Sequence, residues 1–171
     1  MIHAKGATVE QTHQDGLVVR SAARVLLLDA EDRLLMFHCQ DPTGGEPFWI
    51  APGGGLEANE SYEDAARREV YEETGLRIHE VSCCVWHRTH AFTYRHRRYN
   101  QHERFFVART DATVIRAIAD DQEIHDQLGH HWWSVEELQR STSDFAPRRI
   151  AQYLSALLND GYPDEPIDVG V

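Results

Sequence analysis

The sequence predicts an α+β domain, and three observations carry that reading. Short segments rich in branched and aromatic residues recur along the chain, separated by clusters of turn-forming residues. Helical spacing with a capping residue appears in only three places, near Ser61, Ser134 and Pro147. At 171 residues the chain suits one domain with a sizeable core, and no segment repeats.

Each element follows from its residues. Positions 1–16 are polar and are expected to form a flexible N-terminal segment. Leu17 to Leu28 (LVVRSAARVLLL) reads as a strand entering the core, Asp29 to Asp32 as a turn, and Leu34 to Cys39 as the returning strand. Asp41 to Gly45 is a loop by composition, after which Phe48-Trp49-Ile50 leads into Ala51-Pro52 and a glycine turn at Gly53 to Gly55. A helix should run from about Ser61 to Thr74. Ser61 with Asp64 resembles a capping box, and Gly75 is the expected left-handed stop. Its buried face reads as Tyr62, Ala66 and Val70, with the carboxylates flanking that face and not needing to enter the core.

Beyond the helix, Glu80 to Thr89 and Glu103 to Arg109 read as strands joined by the basic segment TYRHRRYNQ, expected as a charged hairpin tip. Residues 111–129 read as an acidic loop, His131-Trp132-Trp133 as a strand, and Ser134 with Glu137 as the start of a short helix. A last helix carries the stripe Ile150, Leu154, Leu157 and Leu158. The tail, 160–171, holds four acids, two prolines and no base, so disorder is expected there and the domain proper is placed at 17–159.

Bulk properties exclude some classes. A net charge of −11 argues against nonspecific nucleic-acid binding, which needs a broad basic surface. The N-terminus has no apolar signal-like core, and no apolar run approaches the ~18 residues of a membrane span. Three cysteines, two of them neighbours, are too few for a disulfide framework and read as reduced, strand-borne, mostly buried thiols. The expected compartment is the cytoplasm. The eleven histidines show no zinc-site spacing with the cysteines.

The chemistry concentrates in Gly53 to Leu76, which holds six glutamates and an aspartate. Glu69, Glu72 and Glu73, at spacings of three and four, share one helix face and repel one another. A divalent cation gives such a face a purpose, because Mg²⁺ takes oxygen ligands from carboxylates and substrate phosphates. Glycines at 53 to 55 let the backbone turn sharply and approach closely.

These residues fill the pattern G-x5-E-x7-R-E-U-x-E-E-x-G-U, in which U is a bulky aliphatic residue. Gly54, Glu60, Arg68-Glu69-Val70, Glu72-Glu73 and Gly75-Leu76 occupy its fixed places, over 23 of the 171 residues. The chain therefore resembles the Nudix hydrolases. That resemblance implies the Nudix fold, a mixed β-sheet sandwiched between α-helices. It implies a Mg²⁺-dependent pyrophosphohydrolase, with Mn²⁺ able to substitute, cleaving a nucleoside diphosphate linked to another moiety. It assigns Glu69, Glu72 and Glu73 as metal ligands, with the Gly53 carbonyl beside them, and Arg68 as the residue orienting a catalytic carboxylate.

Relatives recruit one more acid from a later loop, and Glu123 is the choice here, with Asp126 and Glu103 as competitors. Trp49, Trp86, Trp132 and Trp133 are the candidates for stacking on a base. The expected partner is a small nucleoside diphosphate derivative, with homodimers common among relatives. Two rivals remain, a nucleotide-sensing module and a diphosphate isomerase of the same fold. Sensors usually lose box glutamates, and the isomerases depart from the strict box, whereas here it is complete.

Overall fold

The computed structural model describes residues 10–12, 16–41, 44–94, 96–118 and 127–170. Its centre is strand β2 (Leu17–Leu28), which alternates its apolar residues between two faces. Ala23, Val25 and Leu27 enter one buried cluster, and Leu26 and Leu28 enter the other. One edge of β2 runs parallel to β7 (Arg97–Arg109) over the whole length of β2. Its other edge is shared in sequence by β1 (Glu10–Thr12), β5 (Gly53–Gly55) and the start of β3 (Leu34–Cys39).

Around this core the sheet continues on both sides. The hairpin of β6 (Trp86–Tyr94) and β7 lies on one side, and β4 (Phe48–Ile50), β8 (Gln127–Trp133) and β9 (Asp144–Ala146) on the other. Parallel and antiparallel pairs both occur, so the sheet is mixed.

Helix α1 (Tyr62–Thr74) covers one face through Ala65, Ala66 and Val70, packed on Ala23, Val25, Leu27, Phe37 and Phe106. Helices α2 (Val135–Arg140) and α3 (Ile150–Asp160) contribute to the opposite cluster through Leu138, Ile150, Leu154 and Leu157, packed with Trp86, Phe105 and Val107. Helices on both faces of a mixed sheet are the predicted sandwich. Among the described residues no helix is long and apolar enough to cross a membrane.

Several boundaries differ from expectation. The tail is not free: β10 (Ile167–Asp168) pairs in parallel with Trp86 and His87, and Val169 is buried in the core. One apolar anchor and main-chain pairing outweigh its acidic composition. Within the first sixteen residues, Glu10–Thr12 pairs with Val18 to Arg20. The first hairpin strand, β6, starts at Trp86 rather than Glu80 and runs on to Tyr94, while β7 begins at Arg97 rather than Glu103. Arg97 and Arg98 therefore belong to a strand end, with Arg97 ion-paired to Glu10 at 3.0 Å. Cys83 is exposed outside the strands, and only Cys39 is strand-borne; none of the three forms a disulfide.

Candidate active site

The helix that carries the carboxylates is fixed at both ends. Ser61 caps it by accepting from the Asp64 N–H at 3.1 Å, and Gly75 closes it in the left-handed conformation at φ 74°. Tyr62 is only half-buried, whereas Glu69 and Glu73 are buried at 1% and 8% exposure. Glu72 stays half-buried at the edge, while the other two carboxylates therefore enter the interior. They can do so because each is met there by a donor, and a buried charge is tolerated only when paired and hydrogen-bonded.

For Glu69 the donor is Arg68. Its Nη1 donates to Glu69 Oε1 at 2.7 Å and to Glu72 Oε2 at 3.2 Å. Its Nε and Nη2 grip both oxygens of Glu60 at 2.8 and 2.9 Å, and Nη2 also reaches the Gly55 carbonyl at 3.0 Å. Burial works against the charge of Arg68, yet the bonds to Glu60 and the charge of Glu69 outweigh it and raise its pKa. Glu60 feels the reverse balance: burial raises its pKa, and the bond from Arg68 brings it below the usual range. The predicted buttressing by Glu60 is thus visible as a guanidinium–carboxylate fork that ties the helix to the loop before it.

For Glu73 the donor is the glycine strand. The Gly53 N–H donates to Glu73 Oε2 at 2.8 Å, and Gln127 Nε2 to Glu73 Oε1 at 3.3 Å. Gly53 has φ 139°, and a Cβ there would meet the Ala23 carbonyl oxygen at 2.1 Å, so only glycine fits. Gly54 leaves room for Glu69, since a Cβ would lie 2.5 Å from Glu69 Oε1. These glycines form a strand paired to β2, not merely a turn.

A second polar cluster continues from this strand. Arg24 Nη1 donates to the Gly53 carbonyl at 2.6 Å, while its Nε donates to Glu103 Oε1 at 2.8 Å. Arg88 Nε donates to Glu103 Oε2, and Gln101 Nε2 donates to Glu103 Oε1 at 2.8 Å. Burial would raise the pKa of Glu103, but Arg24 and Arg88 hold it down to about 2. So acidic a carboxyl is a poor proton acceptor near neutrality, which counts against Glu103 as a general base. Its role is to gather guanidinium groups.

A cavity of about 550 Å³ opens beside both clusters. Gly53, Glu73 and Gln127 border it on the carboxylate side, with Arg20, Arg24, Arg88, His90 and Gln101 along the sheet. Phe37, Phe48, Ile50 and Phe92 supply apolar wall. None of the four tryptophans lines it. Trp86 is core, and Trp49 and Trp133 pack edge-on at 5.0 Å in their own cluster with His38 and His131. Trp132 donates its indole N–H to the Thr113 carbonyl at 3.2 Å.

The structure thus brings Gly53, Arg68, Glu69, Glu72 and Glu73 together, while Glu123 and Asp126 lie outside the described residues. Sequence reasoning missed Arg24, Arg88 and Gln101. Their signal was strand alternation: Tyr99, Gln101, Glu103 and Phe105 are buried at every second position of β7.

The donor set suits a hard divalent cation, being carboxylate oxygens with a peptide carbonyl nearby, and the space at Gly54 keeps the Glu69 carboxylate against the glycine strand. Among the described residues no three acidic, histidine or cysteine side chains converge as a ready metal cage. Glu69 and Glu72 turn toward Arg68, and Glu73 toward the Gly53 N–H. An ion would therefore compete with Arg68 and the Gly53 N–H for these oxygens.

A mixed sheet between helices, with an arginine-braced row of glutamates on the helix after a glycine strand, defines a class of phosphate-processing domain. The NUDIX domain model matches residues 18–154, and the chain belongs to that family. Hydrolases of the family generally use divalent metal ions. The chain is 33% identical over 159 residues to diphosphoinositol polyphosphate phosphohydrolase 3-alpha of Mus musculus, covering 87% of this chain and 83% of that protein. It is 58% identical over 49 residues to an RNA pyrophosphohydrolase of Bartonella henselae, a match covering 29% of this chain and only 28% of that protein. Its fold is similar to the MutT protein of Methanosarcina mazei Go1, with TM-score 0.62 at 17% identity, covering 82% of this chain and 96% of that one.

Proposed function

We propose that the chain is a Mg²⁺-dependent pyrophosphohydrolase that cleaves a nucleoside diphosphate linked to another moiety, such as a nucleotide sugar, a dinucleoside polyphosphate or a nucleoside di- or triphosphate. The observation that carries this reading is the abutment of two features. Glu73 borders a cavity that offers guanidinium groups and aromatic wall, and Glu69 and Glu72, braced by Arg68, stand beside it on the same helix. The names of the mouse and Bartonella relatives, both phosphohydrolases, support it.

In this reading Glu69, Glu72, Glu73 and the Gly53 carbonyl hold the metal, with Mn²⁺ able to substitute. When bound, the ion supplies charge neutralisation on the phosphates and a water of lowered pKa. The chain's own residues do the rest. Arg68 keeps Glu69 and Glu72 oriented, and Arg24 and Arg88, gathered by Glu103, offset phosphate charge at the cavity wall. Glu123 is proposed as the additional acid.

The test is a hydrolysis panel of ADP-ribose, dinucleoside polyphosphates, nucleoside di- and triphosphates, NADH and CoA, run with Mg²⁺ or EDTA and with products identified by mass. Metal-dependent cleavage of one class by the native chain, lost by at least two orders of magnitude in Glu73→Gln, is the expected result. Nucleotide binding without cleavage would replace the proposal with the sensing module, and full activity of Glu73→Gln would remove the metal assignment.

A further inference from the structure

The strands bring a histidine in among the guanidinium groups of the cavity wall. Register places Gln101 of β7 between Arg20 of β2 and His90 of β6, and Glu103 between Ala22 and Arg88. Residues two apart on a strand share a face, so Arg88 stands next to His90 on β6. Arg20, Arg24, Arg88 and His90 all line the cavity, and among the described lining residues His90 is the one histidine. Its ring stacks on Phe92 at 5.2 Å and 21°, which holds it in the wall. Its side chain is 17% exposed, so part of it lies open at the surface that a ligand meets.

The charged groups around this ring come from several elements. Arg88 lies beside it on β6, Arg20 and Arg24 belong to β2, and Glu103 belongs to β7, with Glu103 Oε2 3.9 Å from His90 Nδ1. Arg24 and Arg88 share that carboxylate between them, so it cannot answer a third cation in full. Glu10 of β1 stands opposite Arg20 but is ion-paired with Arg97 at 3.0 Å. On the far side of the cavity are Glu73, which accepts from the Gly53 N–H and from Gln127, and Asp41 just beyond β3. Burial and the charge of Arg88 lower the pKa of His90 to about 4, and Glu103 offsets only part of that. The imidazole is thus neutral near pH 7 in the unliganded chain.

Negative charge arriving at this wall cancels the field that keeps the proton off. We infer that His90 is a conditional cation of the binding site: it takes a proton from solvent when a diphosphate-bearing ligand settles against Arg20, Arg24 and Arg88, so that ligand and proton bind together. The coupling acts through the field of the wall and needs no hydrogen bond from the ligand to the buried Nδ1. Its consequence is selectivity by charge, since a doubly charged diphosphate recruits an added cation and a neutral nucleoside does not. Linkage is reciprocal, so the ligand that favours the imidazolium must bind more tightly as pH falls. The proposed reaction enters only through the ligand's being a diphosphate; the proton uptake belongs to binding alone.

The experiment follows the His90 Cε1–H resonance by NMR in the full chain with EDTA, assigned through His90→Asn and His90→Gln. The probes are sulfate and ADP-ribose, both of constant charge from pH 7.5 to 5.5, against chloride at equal ionic strength. In chloride the resonance should stay still over that interval, and with either probe it should titrate. Affinity for ADP-ribose should rise about fivefold or more from pH 7.5 to 5.5, and that ratio should shrink to within about twofold in both variants. Far-UV circular dichroism checks their folds. A resonance that ignores both probes, or that already titrates in chloride, would overturn the inference, as would a fivefold ratio kept by both folded variants. Proton uptake with no pyrophosphate cleaved in the Mg²⁺ panel would keep this inference and remove the proposed reaction, whereas cleavage beside an unresponsive His90 would do the opposite.

Discussion

Glu103→Gln tests whether a buried carboxylate organises the cavity wall. The change keeps shape and removes charge, leaving the Arg24 and Arg88 guanidinium groups without their counter-ion. Glu103 falls from its ordinary 4.5 to about 2 in the folded chain, and a depression of that size corresponds to on the order of 3 kcal/mol. The folded pKa is the lower one, so this stabilisation is complete above pH ~4.5 and disappears as pH falls through about 2. Near pH 7 the variant should lose roughly 3 kcal/mol, or about 6–12 °C in Tm for a chain of this length. Urea denaturation of both proteins at pH 7, 4 and 3 gives the comparison directly. The gap should narrow only slightly between pH 7 and 4 and then close steeply below 4. A variant within about 1 kcal/mol of the native protein at pH 7 would refute the reasoning, as would a gap that stays constant with pH.

Two further perturbations probe the carboxylate row. In Gly54→Ala the new Cβ would stand 2.5 to 2.8 Å from the Glu69 carboxyl atoms, so that group must leave its bond to Arg68. Mg²⁺-dependent hydrolysis should fall at least about tenfold while the circular dichroism spectrum is retained, and native activity would show that the placement of Glu69 is immaterial. Arg68→Met leaves Glu60, Glu69 and Glu72 without their shared cation, at a cost of roughly 3 kcal/mol in EDTA. Millimolar Mg²⁺ should recover part of that loss in urea melts, and identical melts with and without Mg²⁺ would count against metal binding on this face.

The parts legible in the sequence were those encoded by local chemistry. Ser61, Asp64 and Gly75 announce a helix whose ends the structure places at Tyr62 and Thr74. The runs Leu17 to Leu28 and Leu34 to Cys39 have the observed strand limits, because apolar residues stop where Asp29 begins a turn that its own side chain closes onto the Glu31 and Arg33 N–H groups. What was not legible depends on residues far apart in the chain. The spacing of Glu69 and Glu73 shows a shared face but not its depth, since their burial rests on Arg68 and on a glycine strand docked against β2. The tail reads as disordered by composition, yet Val169 finds the same core as Trp86.

Glu103 is the sharpest case. Read alone it is an acid in a polar stretch, and so a competitor for the catalytic base. Arg24 and Arg88 lie 79 and 15 residues away from it in sequence, and only the parallel pairing of β2 with β7 and the hairpin of β6 with β7 deliver them. Once delivered, they reverse the meaning of the residue. An acid held at about 2 is too weak a base to take a proton near neutrality, but it remains ionised and can hold two guanidinium groups and one amide in place. The same carboxylate thereby ties Arg24 of β2 and Arg88 of β6 to Gln101 of its own strand, so removing its charge should loosen all three side chains together.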